Sequence, residues 1–432
     1  MTDSVDFERI TIPPPRRPMQ ARMRYQVISL ALVVLLSIIT PLFITQSYLP
    51  GGWSALKAAN FQASVFACLC ASLLCLTVLK QLDQYPGIRA IVYVFPVTML
   101  IFGFVALSIV VFRFDYSRYV VLLSFVATIF WLHAHYVSSR HTNSFSFAVI
   151  PGGKTDTLQD LPNVTWHVLE KPTAELSKYS GIVLDLRHDH RPDWEHFVAN
   201  CVLASIPVYD IKHIAEVMTG KVEIEHLSEN NFGSVLPSST YMRIKRWLDF
   251  CLAIVLLPLF FFVIAITAIA IKMDSPGPAI FTQPRLGFRA KAFTIYKLRS
   301  MRQATGNEGS FTSASDSRIT KIGKFIRKYR IDEFPQILNV LRGEMSWIGP
   351  RPESLELTKW YEPEIPFYIY RNAVRPGLSG WAQVNQGNVG EIEHERDKVQ
   401  FDFYYIKHFS PWMDLLIVFR TIQIMLSGFG SR

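Results

Sequence analysis

The chain has 432 residues, half of them hydrophobic, a formal net charge of +9 and five cysteines. That length predicts two to four domains, and the hydrophobic share is too high for a protein dissolved in water throughout. The cysteines form neither a zinc spacing nor a secreted disulfide framework. Cys68, Cys70, Cys75 and Cys251 lie in apolar runs and Cys201 stands alone in a helical pattern, so all five read as small hydrophobes.

Residues 1–24 form a basic tail. Its run Pro13-Pro14-Pro15-Arg16-Arg17-Pro18 predicts disorder against anionic lipid. Residues 25–140 hold four apolar stretches, roughly Val27–Thr45, Phe61–Leu79, Ala90–Phe112 and Tyr119–Val137. Each has about the twenty apolar residues that a bilayer-spanning helix needs, with no charge in its core. The first is long and lacks a small-residue cleavage site, which argues against a signal peptide. Arg16, Arg17, Arg22 and Arg24 precede it, whereas the next loop carries only Lys57. The positive-inside bias therefore places the N-terminus in the cytoplasm, and four crossings return the chain there near Arg140.

Residues 141–236 change character. Strand-like runs at Phe145–Ile150, Val164–Leu169, Gly181–Leu186 and Ile206–Tyr209 alternate with helical patterns at Trp194–Ala204 and Ile211–Met218. Alternation of this kind predicts a Rossmann-like α/β domain. Pro151-Gly152-Gly153-Lys154 lacks both the dinucleotide glycine fingerprint and the P-loop spacing, so it reads as a turn before a phosphate cradle. His188 and His190 flank Asp189, too few ligands for a metal site. Ser228–Ser239 is polar and is expected to be a linker.

A fifth apolar segment, about Leu248–Ile271, is long enough to cross a bilayer. Arg243, Lys245 and Arg246 flank one end and a basic block flanks the other, so both ends favour the cytoplasmic side. Pro258 near the middle has no N–H to donate and its ring clashes with the preceding turn. The expected outcome is a re-entrant helix broken at Pro258; a kinked fifth crossing is the competing one. Asp249, at the segment's edge, is expected to pair with a nearby cation, because an unpaired charge there is expensive.

The basic block runs from Arg285 to Arg351, with 14 Lys/Arg against 5 Asp/Glu, a surplus equal to the net charge of the whole chain. Asp332 and Glu333 sit inside it. An acidic pair within concentrated positive charge suits a polyphosphate with a divalent cation, although a solvated basic face would look similar. Phe293–Met301 alternates like a strand and would put Lys297 and Arg299 on one face. Ile322, Phe325, Ile326 and Tyr329 mark an amphipathic helix that carries Lys321, Lys324, Arg327 and Lys328 toward the pair.

The ordered motifs of residues 245–424 resemble the bacterial sugar transferase family, the monotopic phosphoglycosyl transferases. They are Lys245-Arg246 with Asp249, Ser275–Pro278, Tyr296–Met301, Asp332–Gln336, Gly343–Ser346, Gly349–Glu353 and Arg375–Val384. The four spans and the α/β segment resemble the family's large form, the polyprenyl-phosphate hexose-1-phosphate transferases. The family's break usually reads Ser-Pro; Leu257-Pro258 here keeps the proline without the hydroxyl. The resemblance implies a membrane α-helical plus α/β protein whose residues 240–432 form the catalytic domain. It implies transfer of a hexose-1-phosphate from a UDP-sugar to polyprenyl (undecaprenyl) phosphate, with release of UMP. Asp332 would be the nucleophile, forming a covalent phosphosugar intermediate and holding Mg2+ in part, and Glu333 would assist. Arg327 and Arg351 would bind phosphate, with Lys297 and Arg299 behind them. Gly377 and Gly380 would serve backbone geometry, and Trp381 would be a wall or an interfacial anchor. Partners would be UDP-sugar, polyprenyl phosphate and membrane lipid, with no nucleic acid and with a homodimer plausible, at the bacterial inner membrane. Trp412–Gly428 is expected to lie along the membrane as an interfacial helix.

Two other classes remain open on these residues: a membrane-anchored nucleotide sensor or scaffold with an inactive transferase domain, and a multi-span transporter. The first four spans carry essentially none of the ionisable residues that a transport pathway uses.

Overall fold

The computed structural model describes residues 31–44, 59–86, 88, 90–139, 145–155, 164–172, 176, 179–223, 237–302, 318–386 and 392–427. The chain divides into two compact units, Met1–Gly220 and Lys221–Arg432. The basic tail and most of the expected 228–239 linker lie outside the described residues.

The first unit opens with four helices: α1 (Ala31–Ile44), α2 (Ala59–Leu82), α3 (Ala90–Phe112) and α4 (Arg118–Ser139). The last three are long and apolar enough to cross a membrane. The first expected span is described only over its middle, as α1. The bundle is built inside out: Phe66, Phe104, Leu122 and Phe130 are exposed, while Ser64, Ser72, Thr98, Ser124 and Thr128 are buried. Ser72 and Thr128 hydrogen-bond at 3.0 Å across α2 and α4, and the Trp131 indole donates to Thr40 at 3.2 Å. Apolar side chains outward and hydroxyls inward, of which Ser124 Oγ lacks a hydrogen-bond partner among the described residues, suit a lipid solvent, and this is a membrane protein.

After the bundle comes a four-stranded parallel sheet: β1 (Phe145–Val149), β2 (Val164–Val168), β3 (Gly181–Leu184) and β4 (Val208–Asp210), in the order β2-β1-β3-β4. Helix α5 (Pro192–Leu203) crosses between β3 and β4, and α6 (Ile211–Thr219) follows. The period-2 pattern sends Ala148 and Ile150 to one face, against Trp194 and Phe197. Phe147 and Val149 go to the other, against Ile211 and Ile214. Covering both faces accounts for the central strand β3, which is buried at every position, whereas the edge strand β2 stays largely exposed. The third strand ends at Leu184, two residues early. Asp185 leaves it to accept the Lys154 and Arg187 amides at 3.0 and 3.1 Å, and these two bonds hold its pKa down against burial. The Pro151–Lys154 segment is thus a turn whose Lys154 amide is already occupied.

The second unit begins with α7 (Ser239–Asp274), capped by the Ser238 hydroxyl. The expected break at Pro258 resolves as one 36-residue helix with the proline inside it. Pro258 removes one backbone bond, but neighbours on both sides hold the helix to the same unit. Ala253, Leu256 and Phe260 pack with Ile295 and Ile337; Ile264, Ala268 and Ile271 pack with Leu298 and Ile326. Strands β5 (Ile280–Leu286) and β6 (Ala292–Leu298) form an antiparallel hairpin registered Ile280↔Leu298. Then come α8 (Lys321–Lys328), a 3-10 turn (Ile331–Gln336), α9 (Ile337–Arg342) and β7 (Ser346–Ile348). Next are α10 (Leu355–Glu364), a second 3-10 turn (Tyr368–Ala373) and β8 (Gly377–Ser379), which pairs in parallel with β7. The chain closes with α11 (Trp381–Asn385), α12 (Ile392–Lys407) and α13 (Pro411–Ser427).

Helix α13, expected as an interfacial helix, packs one of its faces into the core of the unit. Met413, Leu416 and Ile417 are fully buried, leaving Val418, Ile422 and Met425 exposed. Asp414 is a core residue that accepts from Lys245 at 2.7 Å, Tyr405 at 2.7 Å and Tyr241 at 2.5 Å. Lys245 makes its salt bridge to Asp414, so Asp249, expected to pair with a nearby cation, feels the Lys245 charge without a salt bridge to it and keeps a buried Oδ2 with no hydrogen-bond partner among the described residues.

Candidate active site

The acidic pair lies on the 3-10 turn between α8 and α9. Thr320 caps α8 by accepting the Gly323 amide at 2.9 Å. Gly323 is required there, since a Cβ would collide with the Ser300 carbonyl. Arg330 then takes a left-handed conformation (φ 54°) that ends α8 and starts the turn. A non-glycine residue held there stores local strain. Pro335 and the stack of Phe334 on Phe260 (ring centroids 4.2 Å apart, planes at 10°) fix the far side. The pair is thus pinned, through the adjacent Phe334, to the apolar helix two residues past Pro258. Trp347 meets the other edge of Phe260 and donates to the Asp249 carbonyl at 3.1 Å.

The two carboxylates occupy different environments. Glu333 is buried and accepts from Arg351 at 2.6 Å and Lys297 at 3.4 Å, with Arg330 at 4.0 Å. Burial alone would raise its pKa, but these cations, Arg351 foremost, hold it well below the usual carboxylate range. Asp332 is only half-buried. Partial burial and the Glu333 charge push its pKa up to about 6, against the pull of Lys297, Arg351 and Arg327. Like charges side by side with unequal partners separate in this way. One carboxylate is a fixed anion, and the other is basic and forms no salt bridge among the described residues.

Lys297, on β6, reaches Glu333, and Arg351 reaches it from the loop after β7. Arg327 approaches Asp332 closely enough to lower its pKa, and its NH1 is buried without a hydrogen-bond partner among the described residues. A buried unpaired guanidinium nitrogen needs an acceptor. Arg299 does not join this group. It lies one residue beyond β6 and closes the Ser275–Pro278 turn, donating to the Ser275 carbonyl at 2.7 Å, its hydroxyl at 2.9 Å and the Pro276 carbonyl at 2.9 Å. The strand ends at Leu298, so alternation no longer carries Arg299 to the face of Lys297. Trp381 is buried, stacked near Tyr404 and covered by the Arg420 guanidinium, which is core packing and not the exposure of an interfacial anchor.

Other residues support the site from behind, and of these Asn339 carries no sequence signal of its own. Asn339, fully buried, donates to the Thr294 carbonyl and to Glu344, both at 2.7 Å, tying α9 to β6. Arg246 donates to the Val340 and Leu341 carbonyls at the end of α9, where Gly343 turns left-handed. Gly349, Gly377 and Gly380 approach so closely that a Cβ on Gly377 would collide with the Gly349 backbone. Those close approaches set the loop that carries Arg351.

Among the described residues no group of three His, Cys, Asp or Glu side chains could hold a metal. With Glu333 committed to cations, Asp332 is the one carboxylate of the pair left as a donor. That set fits Mg2+, which is commonly bound by one or two carboxylates plus substrate phosphates, and does not fit an all-protein cage.

Residues 240–428 match the model of the bacterial sugar transferase family. A UDP-N-acetylgalactosamine–undecaprenyl-phosphate N-acetylgalactosaminephosphotransferase of Aeromonas hydrophila is 44% identical over 357 residues, covering 82% of this chain and 84% of its own. UDP-glucose:undecaprenyl-phosphate glucose-1-phosphate transferases of Escherichia coli and Caulobacter vibrioides are 38% and 41% identical. The Escherichia coli match covers 51% of this chain and 48% of the relative; the Caulobacter match covers 45% and 74%. This chain belongs to the bacterial sugar transferase family, and it is a membrane-bound phosphotransferase.

Proposed function

We propose that this chain transfers a sugar-1-phosphate from a UDP-sugar to undecaprenyl phosphate at the cytoplasmic face of a bacterial inner membrane. The reaction would be the first membrane step of exopolysaccharide, capsule or O-antigen synthesis. The observation that carries the mechanism is the unequal pair: Glu333 locked by Arg351 and Lys297, Asp332 basic and not salt-bridged. A carboxylate Oδ of Asp332 attacks the phosphorus next to the sugar. The bond to the bridging oxygen breaks and UMP leaves with the electron pair. The resulting acyl phosphate is then attacked by an oxygen of undecaprenyl phosphate, which releases Asp332 as a carboxylate.

Negative charge on the phosphoryl oxygens requires fixed cations. Arg327 supplies an unpaired buried N–H, and Arg351 and Lys297 stand beside the pair. Asp332 and the diphosphate together would hold Mg2+, which neutralises phosphoryl charge when bound. Arg299 shapes the Ser275–Pro278 turn and takes no direct part.

The sugar we propose is N-acetylgalactosamine. The Aeromonas match of 357 residues extends far beyond residues 240–428, into the spans and the α/β layer. The α7 segment we read as re-entrant, since both of its ends join one folded unit. A panel of UDP-sugars with undecaprenyl phosphate, scored by UMP release, tests the substrate. Turnover should vanish in Asp332→Asn, and a variant with intact turnover would remove Asp332 as the nucleophile.

A further inference from the structure

We propose that Arg371 is a positioning residue for Arg351. It anchors the backbone of the Gly349–Glu353 loop so that the Arg351 guanidinium stays on Glu333, beside Asp332. The inference rests on reading Arg351 as a phosphate-binding cation.

Arg371 lies on the Tyr368–Ala373 turn with its side chain 3% exposed. Each nitrogen of its guanidinium is engaged. Nε and NH2 donate to Asp402 at 3.1 and 2.6 Å, NH1 donates to the Tyr368 hydroxyl at 2.9 Å, and NH2 also donates to the Arg351 carbonyl at 3.1 Å. Arg351 is therefore gripped at both ends: its carbonyl by Arg371 and its guanidinium by Glu333 at 2.6 Å.

The loop has little other freedom. Pro350 and Pro352 flank Arg351, and a following proline biases Arg351 toward extended backbone. The Pro350 carbonyl accepts the Gly377 amide at 2.9 Å. With the Arg351 carbonyl also tied, the direction of its side chain is set by the backbone.

Arg371 belongs to a buried cluster of Arg285, Arg371 and Lys398 with Glu353, Glu395 and Asp402. Glu353, in the same loop as Arg351, is held near the bottom of the carboxylate range: Lys398 and Arg371 outweigh the effect of burial. Buried ion clusters are often no more stable than apolar packing. Stability alone therefore does not account for this one, whereas a rigid frame behind Arg351 does. A lysine at 371 would keep the charge but could not span Asp402 and the Arg351 carbonyl with one fork.

The test uses full-length protein in lipid nanodiscs. Arg371→Lys and the milder Tyr368→Phe are each made alone and with Arg351→Ala, and single-turnover UMP release is normalised to folded protein. A misplaced group can cost up to about 100-fold in rate; we expect Arg371→Lys to lower kcat about tenfold with a smaller change in the KM for UDP-sugar. The Tm should be near that of wild type. In the Arg351→Ala background the same change should cost nothing further, because coupled residues are not additive. Should Arg371→Lys fail to fold, Tyr368→Phe carries the cycle, with a loss of about threefold that disappears with Arg351. Losses that multiply, or wild-type turnover in the folded single variant, overturn the positioning role. Intact turnover in Arg351→Ala alone would instead sink the phosphate-binding reading of Arg351.

Discussion

Asp332 and Glu333 are chemically similar side chains one residue apart, and their partners make them opposites. The spacing of the basic residues said that cations would be near; it did not say which carboxylate they would take. Arg351 and Lys297 converge on Glu333, and the charge they fix there helps raise Asp332 to about 6. A nucleophilic Asp332 must be ionised, so turnover at low divalent cation should fall as pH drops through about 6. Raising the Mg2+ concentration should move that acid limb to lower pH, since a bound cation favours the carboxylate. Rate profiles at two Mg2+ concentrations check both the position and the direction. Arg327 and Arg299 should separate in the same assays. Arg327→Ala removes a buried N–H that has no hydrogen-bond partner among the described residues, and kcat/KM should fall by about 10²–10³ at an unchanged Tm. Arg299→Ala strands three acceptors at the Ser275–Pro278 turn, two of them on buried Ser275. It should cost about 1–3 kcal/mol, read as a lower Tm at nearly unchanged KM. Periodicity placed Arg299 with Lys297 because nothing local announces that the strand stops at Leu298.

Among the elements, the short ones matter most to the site. Strands β7 and β8 are three residues each, and their pairing depends on glycines rather than on strand propensity. Gly377→Ala would push a methyl into the Gly349 backbone and so displace the loop that carries Arg351. Overpacking of this kind costs about 1–3 kcal/mol; thermal unfolding followed by intrinsic fluorescence should show the loss, with turnover falling at least as steeply as the folded fraction. Glycine and proline positions in Gly349–Glu353 and Arg375–Val384 marked these loops in the chain. That they lie side by side, two glycines back to back, follows only from the long-range pairing Ser346↔Gly377. The same holds for Phe260 and Phe334. One lay in an apolar run and the other beside the acidic pair, and neither position foretold a stack at 4.2 Å.

For the whole molecule, the decisive element is α7. Its apolar length and its charged flanks were plain in the chain, and so was Pro258. The helix nonetheless continues through the proline, because packing on both sides of that residue replaces the support of one missing backbone bond. Single cysteines at Arg243 and at Met273, in a Cys-free background, should label with a membrane-impermeant maleimide from the same side of sealed vesicles. Labelling from opposite sides would make α7 a crossing helix. The α13 tail shows the reverse relation. Its mixed apolar and charged pattern fitted a membrane surface, and the structure adds that Asp414 turns inward to Lys245, Tyr241 and Tyr405, so that one face of the helix is core. Length, hydropathy and short-range period determined the apolar spans, the parallel α/β strands and the motif-bearing loops, since these depend on what neighbouring residues share. Which carboxylate is locked, which arginine shapes a turn, and which arginine holds another's backbone depend on residues far apart in the chain. Those partners meet only when the fold brings them together.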